Sequence, residues 1–399
     1  MDSALAGNAF SEQWYQEAAL MAPNFALAQI AHAENLLLQG NKKESDIFKN
    51  KALALSKSVT ERERNHIQII VLLMEGNNQQ ALQAIIHHVK NYPTDALLVS
   101  KAVGGFGLFA FSGEMDGNEQ RLQFMNSLAV DYGEDWWFLS VHAFSHIELY
   151  QFEEAKYKLE KSFHLHERNG HAAHSYAHLC YETGQIQECI DFSSKWLQDY
   201  EREAHLYGHI HWHWALSELA INNFDKVQEI YHKHLRPEIA KGGVLGLLAD
   251  ASALEWRSQL KGKELLNIDL KKELQHYAVE NRNMNEILFG EAHLALLLTG
   301  EDLKEHREDL LRTINNRNTA TPHPKYDMMV NLFEGVNAFA NQDYNAAASH
   351  LSLARPQLIR LGGSRAQRDI FEDTLLESYL KSNNAKEAAD LINSRIHRK

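Results

Sequence analysis

Proline and glycine are scarce in this chain: 6 and 21 among 399 residues. A protein of strands and tight turns needs more of both, so long helices are expected. Only two cysteines are present, Cys180 and Cys189. That excludes a disulfide framework and fits a reducing, cytoplasmic setting. The opening stretch MDSALAGNAFSEQW lacks the basic-then-apolar plan of a secretory leader. No run of 18 apolar residues occurs, so no membrane span is expected. Positive charge is also in deficit. The net charge is −13 with no basic cluster to offset it, which argues against a nucleic-acid partner. Neither a phosphate-binding glycine loop nor a dinucleotide fingerprint nor a serine or cysteine nucleophile elbow appears. TGQIQEC and VGGFGLF are glycine-poor or lack the strand that such motifs follow.

Helical hairpins recur along the chain instead. Residues Ser11 to Gly40 carry apolar side chains at helical spacing and end at the turn GNKK. Lys49 to Ser58 reads as the next helix. Thr60 with Glu63 is a capping-box pair opening the helix through HIQIIVLLMEG, and Pro93 stops the helix QQALQAIIHHVKNY. Thr94 or Asp95 is placed to cap the one after it.

Aligning the turns on Phe152, Ile186 and Phe224 sets the register. Ala143, Ala177 and Ala215 then lie in equivalent first-helix positions, and Ala155, Cys189 and Val227 in equivalent second-helix positions. Small residues at both are what closely paired helices require. Tyr344, with Gly335 and Ala347, repeats the pattern, as do NNAKEAADLI and, in degenerate form, EAHLALLLTGED. A period near 34 is that of the tetratricopeptide repeat. The expected fold is therefore all-α: a tetratricopeptide-repeat-like α-solenoid, a right-handed superhelix of about eight to ten antiparallel helix pairs. No linker rich in Pro, Gly or Ser divides it, so residues 1–399 read as a single continuous solenoid, with His-rich central repeats at 137–227 lining its inner groove.

The stretches ERERNHIQIIVLLMEGNNQQAL, YPTDALLVS, HSYAHLCYETGQIQECIDF, HWHWALSELAINNFD and LGGSRAQRDIF resemble the tetratricopeptide repeat protein 38 family, WHWAL and GGSxAQRD being the specific ones. The resemblance implies a fold more than a reaction. It singles out His174, His178, His209, His213, Trp212, Trp214, Asp250, His293 and the run Gln367-Arg368-Asp369. His142, His146, His171 and His211 have no counterpart in it.

Eleven of the 23 histidines fall between His142 and His213. Helical register sorts them. With Ala177 as reference, His171, His174, His178 and Glu182 share one face; Trp137, Ser140, Phe144 and Glu148 line the preceding helix, and His209, Trp212 and His213 the following one. His142, His146 and His211 point away. The pairs His164/His166 and His232/His234 belong to second helices and read as solvated. The i, i+4 pairs His174/His178 and His209/His213 have metal-ligand spacing, which is also ordinary helix geometry. Residue 175 is Ser, so HExxH zinc-hydrolase chemistry is disfavoured. Three readings stay open: groups hydrogen-bonded within helix packing, donors to a polar or anionic small ligand or a peptide, and ligands of a divalent metal or haem. Arg368, in the first turn after Gly362-Gly363 with Ser364 as cap, is placed either to clamp an anion or to staple repeats. Asp250, in the apolar helix GVLGLLADASALEW, must have a partner, and a groove histidine is the natural one. A binding module is expected, with an enzyme using His174, His178, His209, His213, Asp250 and Arg368 as the alternative.

Overall fold

The computed structural model describes residues 2–239, 243–280 and 287–395. Among these every regular element is helical. After α1 (Asp2–Ala6) and α2 (Ser11–Met21) come ten hairpin pairs among the described residues. They are α3 (Ala26–Leu38) with α4 (Lys42–Leu55), α5 (Glu61–Met74) with α6 (Asn78–His88), and α7 (Ala96–Val103) with α8 (Gly117–Tyr132). Next follow α9 (Trp136–Ile147) with α10 (Phe152–Leu165), α11 (Gly170–Thr183) with α12 (Ile186–Trp196), and α13 (Tyr207–Ala220) with α14 (Phe224–Ile230). The last four are α15 (Val244–Leu260) with α16 (Ile268–Glu280), α17 (Leu288–Leu297) with α18 (Lys304–Ala320), α19 (Pro324–Ala340) with α20 (Tyr344–Ala354), and α21 (Arg365–Lys381) with α22 (Ala385–Ser394). From α9 to α21 each odd-numbered helix packs on the next, forming an inner row, and the even-numbered helices lie outside it. This is a tetratricopeptide-type solenoid.

One local device builds most hairpins. The first helix ends in a residue at positive φ: Gly40, Gly76, Tyr150, Gly184, Asn222, Gly262, Gln342 or Asn383, all between 61° and 79°. The chain reverses there and the second helix begins two residues later, as at Phe152, Ile186, Phe224 and Tyr344. Those are the turn positions on which the sequence aligns. Ala143, Ala177, Ala215, Ala155 and Val227 are fully buried between the helices, and Cys189 nearly so. Gly335 shows why the position must be small, since a Cβ there would lie 2.6 Å from Leu351 Cγ. The Thr60–Glu63 capping box is formed, and Ser364 caps α21 in a second box with Gln367.

Two expectations change. Ser11 to Gly40 is two helices, α2 and α3, because Pro23 interrupts the ladder between them. Asp95 stands at the N-cap of α7 without capping it. Its buried carboxylate instead meets His66 Nδ1 at 3.2 Å, His88 Nε2 at 3.1 Å and Arg62 at 3.2 Å. Burial alone would raise its pKa; these partners outweigh burial and hold it well below the usual range.

The inner side of the superhelix is crossed by later parts of the chain at the central repeats. α21 packs on α15 and touches α11. Arg360 Nη1 donates to Gly113 O at 2.6 Å, and Tyr200 Oη donates to Gly7 O. The open groove expected at the central repeats is thus covered from both ends of the chain.

Candidate metal centre

The central site is built by two neighbouring inner helices. His174 and His178 are one turn apart on α11, and His209 and His213 one turn apart on α13. Because the helices are successive inner members of the repeat, the pairs face each other in register. Ring centroids are 4.9 Å apart for His174/His209 and 4.3 Å for His178/His213. Within each pair they are 4.5 Å and 4.9 Å apart. One ring nitrogen from each of the four lies within 4.8 Å of all the others.

The nitrogens converge rather than pairing outward. His174 Nε2 and His178 Nε2 are 2.9 Å apart. Neither nitrogen of His213, nor Nδ1 of His178, reaches a hydrogen-bond partner among the described residues. His213 is 1% exposed and His178 0%. Buried polar atoms are ordinarily satisfied. Burial, reinforced by neighbouring histidines, pushes His174 and His213 well below the ordinary imidazole range. Burial also takes His178 down to about 3. These three imidazoles therefore favour the neutral state, and in the Nε2–Nε2 contact one ring donates and the other accepts.

Other side chains orient the four. Asp250, on α15, accepts from His209 Nδ1 at 2.8 Å, which aims His209 Nε2 inward. Trp212 is fully buried and stacks on His209 at 5.3 Å and 13°. Phe144 lies 5.6 Å from His174 and 5.1 Å from His178. Above them crosses the loop Gly104–Gly107, with Phe106 edge-on to His209 at 6.4 Å. This is the VGGFGLF run that fails as a phosphate loop; its glycines allow close passage, and a Cβ on Gly105 would already touch Phe144 and His174.

Glu148, Glu182 and Arg368 form a separate charged layer at the end of α21. Arg365 donates to Glu182 Oε2 at 2.7 Å and to Glu148 O at 2.9 Å, with its guanidinium over the Tyr150 ring. Its backbone N donates to Glu148 Oε1 at 3.4 Å. The carboxylate at this helix N-terminus is thus the protein's own. Arg368 donates to Gly362 O and Gly363 O and sits 3.5 Å from Glu148 Oε2. It braces its own turn and meets Glu148, while Asp369 accepts from Tyr181. Burial alone would raise the Glu148 carboxyl, but Arg368, Arg365 and Arg121 outweigh it and hold it low.

The remaining histidines and tryptophans sort as follows. Trp137 is buried against Tyr132, away from the four histidines. His171 lies beside His205, at 5.9 Å, outside the cluster. His142 donates to Asn126 Oδ1, His146 to Gln151 Oε1 and His211 to Tyr207 O. His293 donates to Phe289 O. Trp214 donates to Glu218. His164 is exposed. His166 and His234 are half-buried rather than fully solvated: His166 lies tilted against Trp136 at 4.3 Å, and His234 stacks on His211 and bonds Tyr207 Oη. Their rings are amphipathic enough to lie on aromatic neighbours, which second-helix position alone does not exclude. The sequence reading missed Arg121, Arg365 and the glycine loop, because all three reach the site only through long-range folding.

No family model matches the sequence. Among solved structures, the human IFIT1 dimer with m7Gppp-AAAA aligns over 93% of this chain and 89% of that one, at 13% identity and a TM-score of 0.46. Naa15/Naa10 bound to HypK-THB aligns over 96% of this chain at 13% identity and a TM-score of 0.26. This chain spans 60% of that one. Both are helical-repeat proteins. No helix among the described residues is long and apolar enough to cross a membrane.

Proposed function

We propose that this protein holds a divalent transition-metal ion between α11 and α13, with His174, His178, His209 and His213 as ligands. One observation carries the reading: four ring nitrogens, three on buried histidines and one on the half-buried His209, lie within 4.8 Å of one another. A tetrahedral ion with bonds of about 2.0–2.1 Å separates its ligands by about 3.4 Å. The spread here, from 2.9 Å for His174/His178 upward, brackets that value. An all-imidazole set suits zinc, copper, nickel or iron, and the neutral state of the rings is the ligating state.

A bare ion fits better than haem. A porphyrin supplies four nitrogens itself and takes at most two axial protein ligands. Four convergent imidazoles leave no room for its plane. Cationic donation to an anion is also disfavoured for His174, His178 and His213, which burial holds below the ordinary imidazole range.

The tetratricopeptide repeat protein 38 resemblance supports the same residues. Its matched positions include all four ligands, Asp250 on His209 and Trp212 beneath it. We read the chain as a member of that family, as one solenoid through 1–399, and as a cytoplasmic metal-binding protein. The buried free thiols Cys180 and Cys189 suit that compartment. The net charge of −13 argues against a nucleic-acid partner. Metal-dependent catalysis remains the second reading, and Arg121, described next, is what favours it.

Elemental analysis of protein purified without chelators tests the centre. About one ion per chain is expected, falling well below 0.1 in the His178→Ala/His213→Ala double variant. Wild-type protein that stays empty after incubation with zinc, nickel or copper would defeat the proposal.

A further inference from the structure

We infer that Arg121 anchors an oxyanion subsite beside the four-histidine centre, taking the carboxylate of a small ligand. The inference rests on the metal reading above and names the ligand class for that site. Arg121 comes from α8 and is 1% exposed. Its guanidinium stands 4.9 Å over the Phe144 ring, the same ring that touches His174 and His178. Its Nε and Nη2 reach no hydrogen-bond partner among the described residues.

The charged groups that face it are Glu148 and Arg368. Glu148 takes the Arg365 amide on Oε1, and its Oε2 lies 3.5 Å from Arg368 without a hydrogen-bond partner among the described residues. Arg365 also takes Glu182. Arg121, Arg365 and Arg368 thus all face Glu148, and a bound divalent ion would add further positive charge. A buried guanidinium is tolerated only when its charge is met. Burial lowers its pKa only to about 10, so it stays charged. Water can fill a hydrogen bond there but cannot neutralise it.

The two unused nitrogens define the ligand. Nε and Nη2 form one edge of the guanidinium, a two-pronged fork that matches the two oxygens of a carboxylate. The carboxylate would sit between a fixed cation and the metal, with Phe144 as an apolar wall. Four imidazoles fill a tetrahedral shell, so a ligand carboxylate would bind as a fifth ligand or in place of one imidazole.

The test uses full-length protein loaded with cobalt(II), its cobalt content checked by elemental analysis. Oxalate, acetate and inorganic phosphate are titrated separately, reading the cobalt visible absorption and the melting temperature. Oxalate is expected to shift the band and raise the melting temperature of wild type. Arg121→Met should keep its cobalt and lose oxalate affinity by about tenfold or more, with Arg121→Lys between the two. If Arg121→Met does not fold, the wild-type and Arg121→Lys titrations decide. An unmoved wild-type spectrum, equal oxalate affinity in a variant, or tighter phosphate than oxalate binding would each overturn the inference. If cobalt does not bind, the metal centre itself fails and this subsite falls with it; if cobalt binds and oxalate does not, only the subsite fails.

Discussion

His209 donates from Nδ1 to Asp250 Oδ2 at 2.8 Å, joining α13 to α15 across 41 residues of chain. The bond fixes the tautomer of His209, leaving Nε2 as the free lone pair beside His174 and His213. A carboxylate behind a ligating imidazole both orients it and raises its basicity. Asp250→Ala is therefore expected to weaken metal affinity by about 10- to 100-fold while leaving the other three ligands in place. Competition titration against a chromophoric chelator measures this. Unchanged affinity would make the Asp250 contact a packing feature only.

Acid should loosen the fold through histidines outside the centre. His142 is pushed down to about 3 by burial, with His146 and Lys158 adding to the effect, and it donates to Asn126. A folded-state pKa below the unfolded value gives stability that is fully present above about 6.5 and lost as pH falls from there towards about 3. Between pH 7 and pH 5 this one group accounts for about 2 kcal/mol. Urea unfolding of His142→Gln at the two pH values should lose less stability than wild type by roughly that amount. Parallel losses would show that His142 titrates normally in the fold.

Gly335 tests the repeat register. A Cβ on it would stand 2.6 Å from Leu351 Cγ and 3.2 Å from Leu351 N, so α19 and α20 would have to separate. Gly335→Ala should cost about 1–3 kcal/mol despite the better helix propensity of alanine. A melting temperature equal to or above wild type would mean that the hairpin absorbs the methyl group.

Arg365 ties the last inner helix to the central repeats through Glu148, Glu182 and Tyr150. Removing one partner of a buried ionic group leaves the rest uncompensated, typically at about 3–5 kcal/mol. Arg365 keeps 17% of its side-chain surface exposed, so the lower end of that range is expected for Arg365→Met. Hydrogen exchange should rise along α21. Protection unchanged there would show that contacts with α15, α19 and α20 hold the helix unaided.

The repeat was legible because its signals are local. Apolar spacing, the capping pair Thr60–Glu63 and the small residues Ala143, Ala177 and Ala215 report on their own hairpins. The two HxxxH pairs were legible for the same reason, since i, i+4 spacing and one repeat register put them face to face. Asp250 was half legible: a carboxylate in an apolar helix demands a partner, but the sequence could not choose His209 among the histidines. The closing of the groove was not legible. It depends on where a long superhelix returns, which brings Arg365 and Arg368 to Glu148 and lays Gly104–Gly107 over the histidines. Arg121 was invisible for a related reason: in GNEQRLQFMNS it reads as a solvated helical charge. Asp95 misled in the opposite way, since its cap position concealed the nearby His88 and the more distant His66 that claim its carboxylate.

The central claim is most directly tested by X-ray absorption at the edge of the metal that the wild-type protein binds. The first shell should contain nitrogen at about 2.0–2.1 Å, with the multiple-scattering pattern of three to four imidazoles, and should lose imidazole in His213→Ala. A shell of oxygen or sulfur ligands, or one that the His213→Ala substitution leaves unchanged, would contradict a metal centre at His174, His178, His209 and His213.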